Sequence, residues 1–422
     1  MDTILYELPE TIKNEPYIIG SYYIKLPVST NVMDKARAMA VGQTLGTWVP
    51  VPGITEEMRK AHMGKVISVY EAPPVELSSQ YDSAFISYFL QIAYPIANFD
   101  YAIPMMLTTL LGNDASTSSQ VKLVDIQFPV EFISHFQGPK YGIEGLRKLV
   151  GEKDRPLFLN MIKPCTGITP EVGAKIFYET ALGGPDFIKD DELLANPSFC
   201  PVRERVKAYN AASRAAYEKT GKETIYICNV TDSSEKILHT VDEAVEAGAK
   251  AIMLNFATVG LDTMEYISKN VPIPVMGHYA AAGMYCEGIV NGLSSHLLIG
   301  KLSRICGADL VMINTPYGGY PLTQTEYLKT VQMLTLPLYK VNPAMPICGG
   351  GVHPGMVSRF TKELGNDIVL AAGGAVQGHR DGAAAGAAAM RQAIDASMSG
   401  IDVQEYAASH RELATALKQF CK

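Results

Sequence analysis

Residues 183–192 read Gly183-Gly184-Pro185-Asp186-Phe187-Ile188-Lys189-Asp190-Asp191-Glu192. The stretch begins as a short buried strand and ends in three consecutive acids, with a lysine directly before them. Because side chains alternate between the two faces of a strand, we expect Lys189 and Asp191 to point the same way. Glu192 follows in the loop and can reach the same ion. Hard divalent cations such as Mg²⁺ prefer anionic oxygen ligands, so this stretch predicts a metal site.

The lysine of this stretch needs a chemical change before it can bind a hard cation. Its amine becomes an oxygen ligand only when, in the neutral form, it adds CO₂ to give a carbamate. Neighbouring acids would hold the amine charged, so a bound metal is needed to reverse that balance. A purely structural interpretation also exists, because acids that follow a strand often open the next helix and suit its dipole. The rest of the chain decides between the two.

The composition is that of a globular enzyme. The chain has 422 residues, 47% hydrophobic and 19% charged, which suggests two domains or a large barrel with an added module. The net charge is -7 and no basic block occurs, so we expect no nucleic-acid partner. No apolar run reaches transmembrane length, and the acidic N-terminus is not that of a signal peptide. The seven cysteines form no CxxC pair, so we expect a cytoplasmic protein without disulfides, zinc or membrane contact.

The N-terminal third mixes strands and helices without regular alternation. Residues 17–26 and 65–70 are rich in β-branched and aromatic side chains and predict strands. A helix is expected over 32–41, and the stretch 42–48 is expected to turn into another strand. A further helix is predicted to end near residue 112. Such a mixture favours a small α+β domain.

From residue 157 onward, apolar strands alternate regularly with amphipathic helices. Eight strands are predicted, at 157–162, 186–189, 224–230, 251–256, 273–277, 310–314, 345–349 and 368–372. The helices are predicted at 170–182, 202–220, 234–247, 263–269, 293–306, 323–334, 354–364 and 382–398. Eight such units predict a closed parallel (β/α)₈ barrel, the TIM barrel. An open doubly wound sheet is the rival, but no GxGxxG motif follows the first strand.

The carboxyl ends of the barrel strands should carry the chemistry. Lys163 follows the first strand, Lys189 ends the second, Asn229 ends the third, and His278 follows the fifth. For His278, a catalytic role and a structural hydrogen bond are equally compatible with the sequence. Glycine pairs follow strands seven and eight, where barrels often bind phosphate through backbone N–H groups, although tight turns would also explain them. These are Gly350-Gly351 and Gly373-Gly374.

At several positions the chain resembles the large chain of ribulose bisphosphate carboxylase (RuBisCO). Residues 183–192 are similar to the metal-site signature of that family. Further similar motifs occur in the same order along the chain, at Gly46-Thr47-Trp48, Gly138-Pro139-Lys140-Tyr141-Gly142-Ile143, Ile162-Lys163-Pro164, Gly350-Gly351-Val352-His353 and Gly373-Gly374. The resemblance covers nearly the whole chain, and the combination is highly specific.

The resemblance implies an architecture and a set of roles. It implies a ferredoxin-like α+β domain over 1–137, a TIM barrel over 138–422, and a homodimer whose active sites are shared between subunits. A carbamylated Lys189 would bind Mg²⁺ together with Asp191 and Glu192, and Lys163 would act as the acid/base. The resemblance also implies two groups of substrate contacts. Thr47, Trp48 and Asn113 would reach in from the neighbouring subunit, and Gly350, Gly351, Gly373 and Gly374 would hold the phosphate of a small phosphorylated substrate.

Four departures argue against CO₂ fixation. Carboxylases of the family have lysine where this chain has Cys165, and a lysine in the loop after strand six, where residues 314–321 contain none. They have glutamate at the position of Gly42, and the arginine that binds a second phosphate is replaced by Tyr279. The metal ligands and one phosphate site remain. This pattern resembles the RuBisCO-like proteins, the form IV branch of the family.

The best-known RuBisCO-like proteins act in methionine salvage. They enolise 2,3-diketo-5-methylthiopentyl 1-phosphate or isomerise 5-methylthioribulose 1-phosphate. Segments 92–95, 107–109 and 300–309 look like the diketone enolase branch, but Asn113 stands where that branch carries its catalytic lysine. We therefore predict Mg²⁺-dependent enolisation or isomerisation of a phosphorylated ketone, with Lys163 or the carbamate as the base.

Two alternatives remain open at this point. Other RuBisCO-like proteins are decarboxylases or carboxyl-transferring hydrolases of 3-oxo-isoapionate 4-phosphate, and the same metal site would serve that chemistry. The chain could also be a non-catalytic relic that binds a metabolite. A relic predicts broken metal ligands, whereas Lys189, Asp191 and Glu192 are all present.

Overall fold

A computed structural model describes residues 4–47, 49 and 51–421. The chain divides into two compact units. The first contains the described residues up to 136 together with 282–298 and 339–341, and the second contains 137–281, 299–338 and 342–421. The sequence-based domain boundary between residues 137 and 138 stays a prediction. No helix in the described part of the chain is long and apolar enough to cross a membrane.

The first unit is built on a five-stranded mixed sheet with the order β10-β4-β1-β3-β2. The strands, numbered in chain order, are β1 (Tyr17–Pro27), β2 (Lys65–Ala72), β3 (Phe85–Pro95), β4 (Lys122–Gln127) and β10 (Gly292–Leu293). The helices are α1 (Pro9–Ile12), α2 (Val32–Gly42), α3 (Glu56–His62), α4 (Ile103–Leu111), α5 (Val130–Ser134) and α12 (Gly283–Cys286). Towards the end of β1, Ile24 and Leu26 are buried whereas Lys25 is exposed, which is the alternation of a sheet with one packed face. This mixed sheet with helices confirms the predicted α+β class.

The strand expected after Gly42 was a wrong prediction. The described residues between 43 and 55 form turns and irregular backbone, and the next regular element is α3, whose first turn is capped by Thr55. The backbone explains the difference, because N–H groups that a strand would need for pairing donate back to carbonyls of α2. Gln43 N–H donates to Met39 O at 3.0 Å, and the N–H groups of Thr44 and Gly46 donate to Val41 O at 3.1 and 2.9 Å.

The second unit is a closed barrel of eight parallel strands, which confirms the predicted TIM barrel. The strands are β5 (Leu157–Met161), β6 (Phe187–Lys189), β7 (Ile225–Asn229), β8 (Ala251–Asn255), β9 (Val275–His278), β11 (Leu310–Asn314), β12 (Met345–Gly349) and β13 (Val369–Ala372). Each begins and ends within two residues of its predicted position. β13 pairs with β5 to close the ring.

The helices of the second unit follow the predicted pattern in seven of the eight predicted positions. They are α6 (Gly142–Val150), α7 (Pro170–Ala181), α8 (Val202–Thr220), α9 (Ile237–Glu246), α10 (Phe256–Val259), α11 (Leu261–Asn270), α13 (Ser303–Ile305), α14 (Gln324–Thr335), α15 (Val357–Leu364), α16 (Gly374–Gln377), α17 (Ala383–Met398), α18 (Val403–Ala407) and α19 (Arg411–Phe420). The continuous helix expected over 293–306 is a π-helical stretch, His296–Leu302, followed by the short α13. Helices α6, α10 and α16 and the C-terminal helices α18 and α19 are additional helices that were not predicted.

The barrel is filled by alternate residues of its strands. Its interior cluster contains Leu157, Leu159, Phe187, Ile225, Ile227, Ala251, Met253, Met276, Leu310, Met312, Met345, Ile347, Val369 and Ala371. Leu146 of α6 belongs to the same cluster, so this helix covers the amino-terminal end of the barrel. Asp309 anchors the start of α6, because its Oδ1 accepts hydrogen bonds from the backbone N–H groups of Tyr141 and Gly142 at 2.6 and 2.9 Å. A catalytic site is therefore expected at the opposite end of the barrel, where the carboxyl-terminal ends of the strands lie.

Asp186 joins the first barrel strands through a buried ionic cluster. Its carboxylate lies 2.8 Å from Arg155 Nη1, 3.1 Å from Arg391 Nη2 and 3.2 Å from Lys222 Nζ. Burial alone would raise the pKa of Asp186, but the three cations hold it well below its usual value. Asp186→Asn leaves buried cations uncompensated, so we expect the free energy of unfolding in urea near pH 7 to fall by about 3–5 kcal/mol.

Asp367→Asn provides the control for this prediction. Asp367 also pairs with an arginine, Arg147, but its side chain is 59% exposed, so its loss should cost less than about 1 kcal/mol. A carboxylate with a lowered pKa stabilises the fold above its unfolded pKa of about 3.9. The difference between the protein and Asp186→Asn should therefore be constant above about pH 5 and shrink as the pH falls below about 4. Equal stability of protein and variant at neutral pH would contradict the prediction.

Candidate active site

The inward-facing register ends in a polar side chain in five of the eight barrel strands. Counting by twos from the apolar interior positions of β6, β7, β8, β9, β11 and β12 leads to Lys189, Asn229, Asn255, His278, Asn314 and, without a side chain, Gly349. Each is the last residue of its strand, and all six strands run in the same direction. Polar groups from separate segments therefore meet at one end of the barrel, as the sequence predicted for Lys189 and His278.

Five of the predicted site residues lie close together at this end and form the mouth cluster, which consists of Lys163, Lys189, Asp191, Glu192 and His278. Lys163 Nζ lies 2.6 Å from Asp191 Oδ2. Glu192 Oε2 lies 3.9 Å from Lys189 Nζ and 3.6 Å from His278 Nε2. The side-chain nitrogens of two lysines and one histidine thus lie near the carboxylates of two consecutive residues, Asp191 and Glu192.

Lys189 is completely buried, which disfavours the charged form of its amine. Its Nζ donates to Asp190 O at 2.8 Å. Burial lowers the pKa of Lys189, although Glu192, Asp191 and Asp190 partly oppose that shift. A lysine with a lowered pKa reaches the neutral amine form more easily, and the neutral amine is the form that adds CO₂.

Lys163 is in the opposite electrostatic situation. Its ammonium donates to Asp191 Oδ2 at 2.6 Å and to Cys165 Sγ at 3.0 Å, and 38% of its side chain is exposed. Burial would lower the pKa of Lys163, but the hydrogen bonds to Asp191 and Cys165 raise it above its usual value. In this arrangement Lys163 carries a proton and holds it next to the carboxylate of Asp191.

The orientation of His278 fixes which ring nitrogen carries its proton. The backbone N–H of Ala280 donates to Nδ1 at 3.1 Å, so the neutral ring carries its hydrogen on Nε2, which faces Glu192. Burial, and secondarily the charge of Lys189, lowers the pKa of His278 well below its usual value. His278 is therefore a neutral hydrogen-bond donor towards the mouth.

Two asparagines hold the backbone of the acidic stretch, and one of them was missed by the sequence reasoning. Asn229 Nδ2 and Asn255 Nδ2 both donate to the carbonyl oxygen of Glu192, at 3.2 and 3.0 Å. Asn229 was recognised as a strand end, but Asn255 was not singled out. Its signal was present in the sequence, because it is the inward-facing residue at the end of an apolar strand.

The donor set fits Mg²⁺ only if Lys189 contributes an oxygen. Over residues 4–47, 49 and 51–421, no three His, Cys, Asp or Glu side chains lie close enough together to hold a metal ion. Asp191 and Glu192 supply two carboxylates, and a buried lysine with a lowered pKa lies beside them. A carbamate on Lys189 would complete three anionic oxygen ligands, the type that hard cations prefer.

The glycine loop after β12 lies close to neighbouring backbone, and the loop after β13 lies close to side chains of the first barrel strand and the residues that follow it. Gly351 has a positive φ of +73°, and a Cβ there would lie 2.9 Å from Tyr317 O. A Cβ at Gly373 would lie 3.6 Å from Lys163 Cε, which places this loop beside the mouth cluster. Beside Gly374 the space is open. The remaining member of the predicted set, Gly350, has a φ of +83° and is exposed.

Comparison with known proteins agrees with this arrangement. The family model described as the ribulose bisphosphate carboxylase large chain, catalytic domain, matches residues 142–420. The model for the N-terminal domain of the same large chain matches residues 6–132. The chain belongs to the RuBisCO large-chain family. The similar proteins, described next, indicate the branch of that family to which the chain belongs.

The relatives identify a form IV, RuBisCO-like protein. The chain is 41% identical over 416 residues to a ribulose bisphosphate carboxylase-like protein of Archaeoglobus fulgidus, covering 97% of this chain and 95% of that protein. It is 33% identical to a 2,3-diketo-5-methylthiopentyl-1-phosphate enolase of Geobacillus thermodenitrificans, covering 92% and 95%. The crystal structure of a rubisco-like protein from Alicyclobacillus acidocaldarius has a TM-score of 0.88 at 29% identity, covering 96% of this chain and all of that one.

Two of the predicted contacts from the other subunit, Thr47 and Asn113, lie in the first unit of this RuBisCO-like protein. Thr47 Oγ1 donates to Val49 O at 2.6 Å, and Asn113 is an exposed residue directly before a π-helical turn. Trp48 falls outside the described residues. The participation of all three in a site with the barrel residues stays a prediction.

The departures from the carboxylases have structural counterparts. Tyr279 stacks on His278 with ring centroids 5.1 Å apart, and burial raises the pKa of Tyr279 to about 12. In the loop after β11, the Tyr317 hydroxyl donates a hydrogen bond to Glu363. The guanidinium carbon of Arg359 lies over the Tyr317 ring, 4.8 Å from the ring centroid. In the first unit, a Cβ at Gly42 would lie 2.2 Å from Asp114 Oδ2, so an acid from another position occupies the space beside Gly42.

Proposed function

We propose that this RuBisCO-like protein is a Mg²⁺-dependent enzyme that enolises or isomerises a phosphorylated ketone and does not fix CO₂. The substrate would be of the methionine-salvage type, 5-methylthioribulose 1-phosphate or 2,3-diketo-5-methylthiopentyl 1-phosphate. The observation that carries the proposal is the mouth cluster, in which a protonated Lys163 lies 2.6 Å from a carboxylate next to a second carboxylate and a buried lysine. The relatives named as diketone phosphate enolases support the substrate class.

Lys189, as its carbamate, would hold Mg²⁺ together with Asp191 and Glu192. When bound, the ion supplies a Lewis acid that polarises a substrate carbonyl and stabilises negative charge on its oxygen. The burial that lowers the pKa of Lys189 also favours the neutral amine that adds CO₂. Asn229 and Asn255 keep the Glu192 backbone in place through its carbonyl oxygen.

Lys163 would move the proton. In the described arrangement it is charged and paired with Asp191, so it can give a proton to a substrate carbon or oxygen. Lys163 could accept a proton once Asp191 is neutralised by another cation, because the ion pair then no longer favours the ammonium. His278 would donate a hydrogen bond from Nε2 to a substrate oxygen.

The two ends of the substrate would be recognised differently. Gly350, Gly351, Gly373 and Gly374 would bind one phosphate through backbone N–H groups. Tyr279 and Cys165 occupy positions where carboxylases of the family carry cations, so the opposite end of the substrate would be apolar and without a second phosphate. This asymmetry supports a methylthio-pentyl type of skeleton. A cytoplasmic homodimer, in which Thr47, Trp48 and Asn113 complete the neighbouring site, belongs to the same proposal.

Gly351→Ala should raise the KM for the phosphorylated substrate by about ten- to a hundredfold, because misplacement of a binding loop by a fraction of an ångström is costly. The added methyl group would lie 2.9 Å from Tyr317 O in a backbone conformation that disfavours side chains. Gly365→Ala is the matched control, since φ is +77° there but no atom lies within 4 Å of the new methyl group. Initial-rate kinetics should show an unchanged KM for the control, and equal KM values for both variants would contradict phosphate binding at this loop.

Proton NMR in D₂O tests the function directly. The protein would be incubated with Mg²⁺, bicarbonate and each of the two candidate substrates in turn. We expect deuterium incorporation at the carbon next to the carbonyl, together with an enolised or isomerised product. No exchange with either compound would contradict the methionine-salvage proposal. Release of CO₂ or glycolate from 3-oxo-isoapionate 4-phosphate would then assign carbon–carbon bond cleavage instead.

A further inference from the structure

Arg205 of α8 is a fully buried arginine behind the acidic stretch. Its guanidinium reaches the loop over residues 190–200 and strand β7, where Nε also donates to the Tyr226 hydroxyl at 2.8 Å. Nε donates to Asp190 Oδ2 at 3.1 Å and Nη2 donates to Ala195 O at 2.6 Å. Nη1 donates to Cys200 O, and Nη2 also lies 3.4 Å from Asn229 O. One side chain therefore fixes both ends and the middle of the loop that runs from 190 to 200.

Asp190 is the counter-ion of Arg205 and is also fully buried. Its Oδ2 accepts from Arg205, from the Tyr226 hydroxyl at 2.6 Å and from the Asn229 backbone N–H at 2.9 Å. Asp190 points away from the mouth cluster by the alternation of the strand, whereas its neighbour Asp191 is part of that cluster. The buried Arg205–Asp190 pair therefore fixes the position of the backbone directly before Asp191 and Glu192.

A buried ion pair of this kind is costly to assemble, because both charges leave water. In some proteins such a pair is retained for the single geometry that it fixes. Here the pair holds the loop that carries Asp191 and Glu192. Cation affinity depends on the preorganisation of such ligands, and the loss of a partner behind the ligands typically weakens metal binding about ten- to a hundredfold. Nothing in the chemistry proposed above uses Arg205 itself.

We propose that Arg205, through Asp190 and the carbonyls of Ala195 and Cys200, is a positioning residue that sets the cation affinity of the acidic loop. This inference rests on the proposed function, since it assumes a metal at Asp191 and Glu192. Arg205 does not touch the reacting atoms in this assignment. It keeps the two carboxylates at the spacing that the cation requires.

The test compares Arg205→Lys with the unaltered protein. Lysine keeps the charge but cannot reach all the acceptors that the planar guanidinium contacts. Binding of Mn²⁺, used as a paramagnetic substitute for Mg²⁺, would be measured by electron paramagnetic resonance at saturating bicarbonate. We expect the dissociation constant to rise about ten- to a hundredfold. Hydrogen exchange of residues 191–200 in the metal-free protein should become faster at the same time.

Arg304→Lys is the matched control. Arg304 is equally buried, and its guanidinium also binds backbone carbonyls, those of Asn342, Met333 and Leu336. Its replacement should lower thermal stability without changing Mn²⁺ affinity or exchange in residues 191–200. An Arg205→Lys protein that binds Mn²⁺ as tightly as the unaltered protein would overturn the inference. Equal weakening in both lysine variants would also overturn it, since the effect would then be a general loss of stability.

If Arg205→Lys does not fold, Tyr226→Phe tests whether the contacts of the Arg205–Asp190 pair set the cation affinity. It removes the 2.6 Å hydrogen bond that the Tyr226 hydroxyl donates to Asp190 and the 2.8 Å hydrogen bond that the hydroxyl accepts from Arg205 Nε, and it keeps the aromatic ring. We expect a several-fold weaker Mn²⁺ affinity, and an unchanged affinity would overturn the proposal. Failure of the unaltered protein itself to bind Mn²⁺ with bicarbonate would instead overturn the proposed metal site and this inference with it. The two failures are therefore distinguishable.

Discussion

Lys163→Met should lower kcat by about 10²–10⁴-fold, the usual contribution of a positioned acid or base, while the fold is retained. The side chain lies at the mouth and is 38% exposed, so its loss leaves no buried cavity. Removal of the ammonium also frees Asp191 Oδ2 from the 2.6 Å ion pair. Cation affinity should therefore stay the same or become tighter. Steady-state kinetics and Mn²⁺ binding measured on the same preparation check both parts.

Lys140→Met controls for the loss of a lysine elsewhere in the barrel unit. The Lys140 ammonium bonds to the carbonyls of Lys269 and Val271, which precede β9 at the end opposite the mouth. This variant should lose some stability and keep normal turnover. If Lys163→Met also turned over normally, Lys163 would have no role as acid or base. A large loss of cation affinity in Lys163→Met would show instead that the lysine supports the metal site.

Asp191→Asn should weaken Mg²⁺ binding by at least about a hundredfold, because an amide replaces a carboxylate that is proposed as a direct ligand. Turnover should then no longer respond to added Mg²⁺ or to preincubation with CO₂. The same change leaves the Lys163 ammonium without its anionic partner. Calorimetric titration of Mg²⁺ in the presence of bicarbonate, with activity measured in parallel, checks the prediction.

Asp309→Asn is the control for this substitution. Asp309 is also a buried aspartate of the barrel unit, but it accepts backbone N–H groups at the end opposite the mouth. Its replacement should reduce stability and leave Mg²⁺ affinity unchanged. Equal Mg²⁺ affinity of Asp191→Asn and the unaltered protein would show that Asp191 is not a ligand.

The barrel could be predicted from sequence because each of its strands is a short apolar run followed by an amphipathic helix. Parallel strands covered on both faces leave this local pattern, and a closed ring brings all carboxyl ends to one side. Lys189, Asp191 and His278 could therefore be placed together before the structure was known. The mixed sheet of the first unit was harder, because β4 and β10 pair with strands far away in the chain and carry no regular alternation with helices.

The parts of the site that were missed depend on contacts between distant segments. Arg205 lies in a helix that reads as ordinary amphipathic sequence, and only the folded chain shows its guanidinium beside Asp190. Asp114 fills the space beside Gly42 although the two are far apart in sequence. The pKa of Lys163 is raised because Lys163 is half-exposed and paired with Asp191, whereas the pKa of Lys189 is lowered because Lys189 is buried. Burial and pairing of this kind are properties of the fold.

Carbon-13 NMR of the protein equilibrated with ¹³C-bicarbonate and Mg²⁺ tests the central claim, that a carbamate on Lys189 completes the cation site. The claim predicts a protein-bound carbamate resonance that depends on Mg²⁺ and is absent from Lys189→Met. It also predicts that the resonance is lost in Asp191→Asn, because the carbamate needs the bound cation to persist. A spectrum without this resonance in the unaltered protein, or one that is the same in Lys189→Met, would contradict the account.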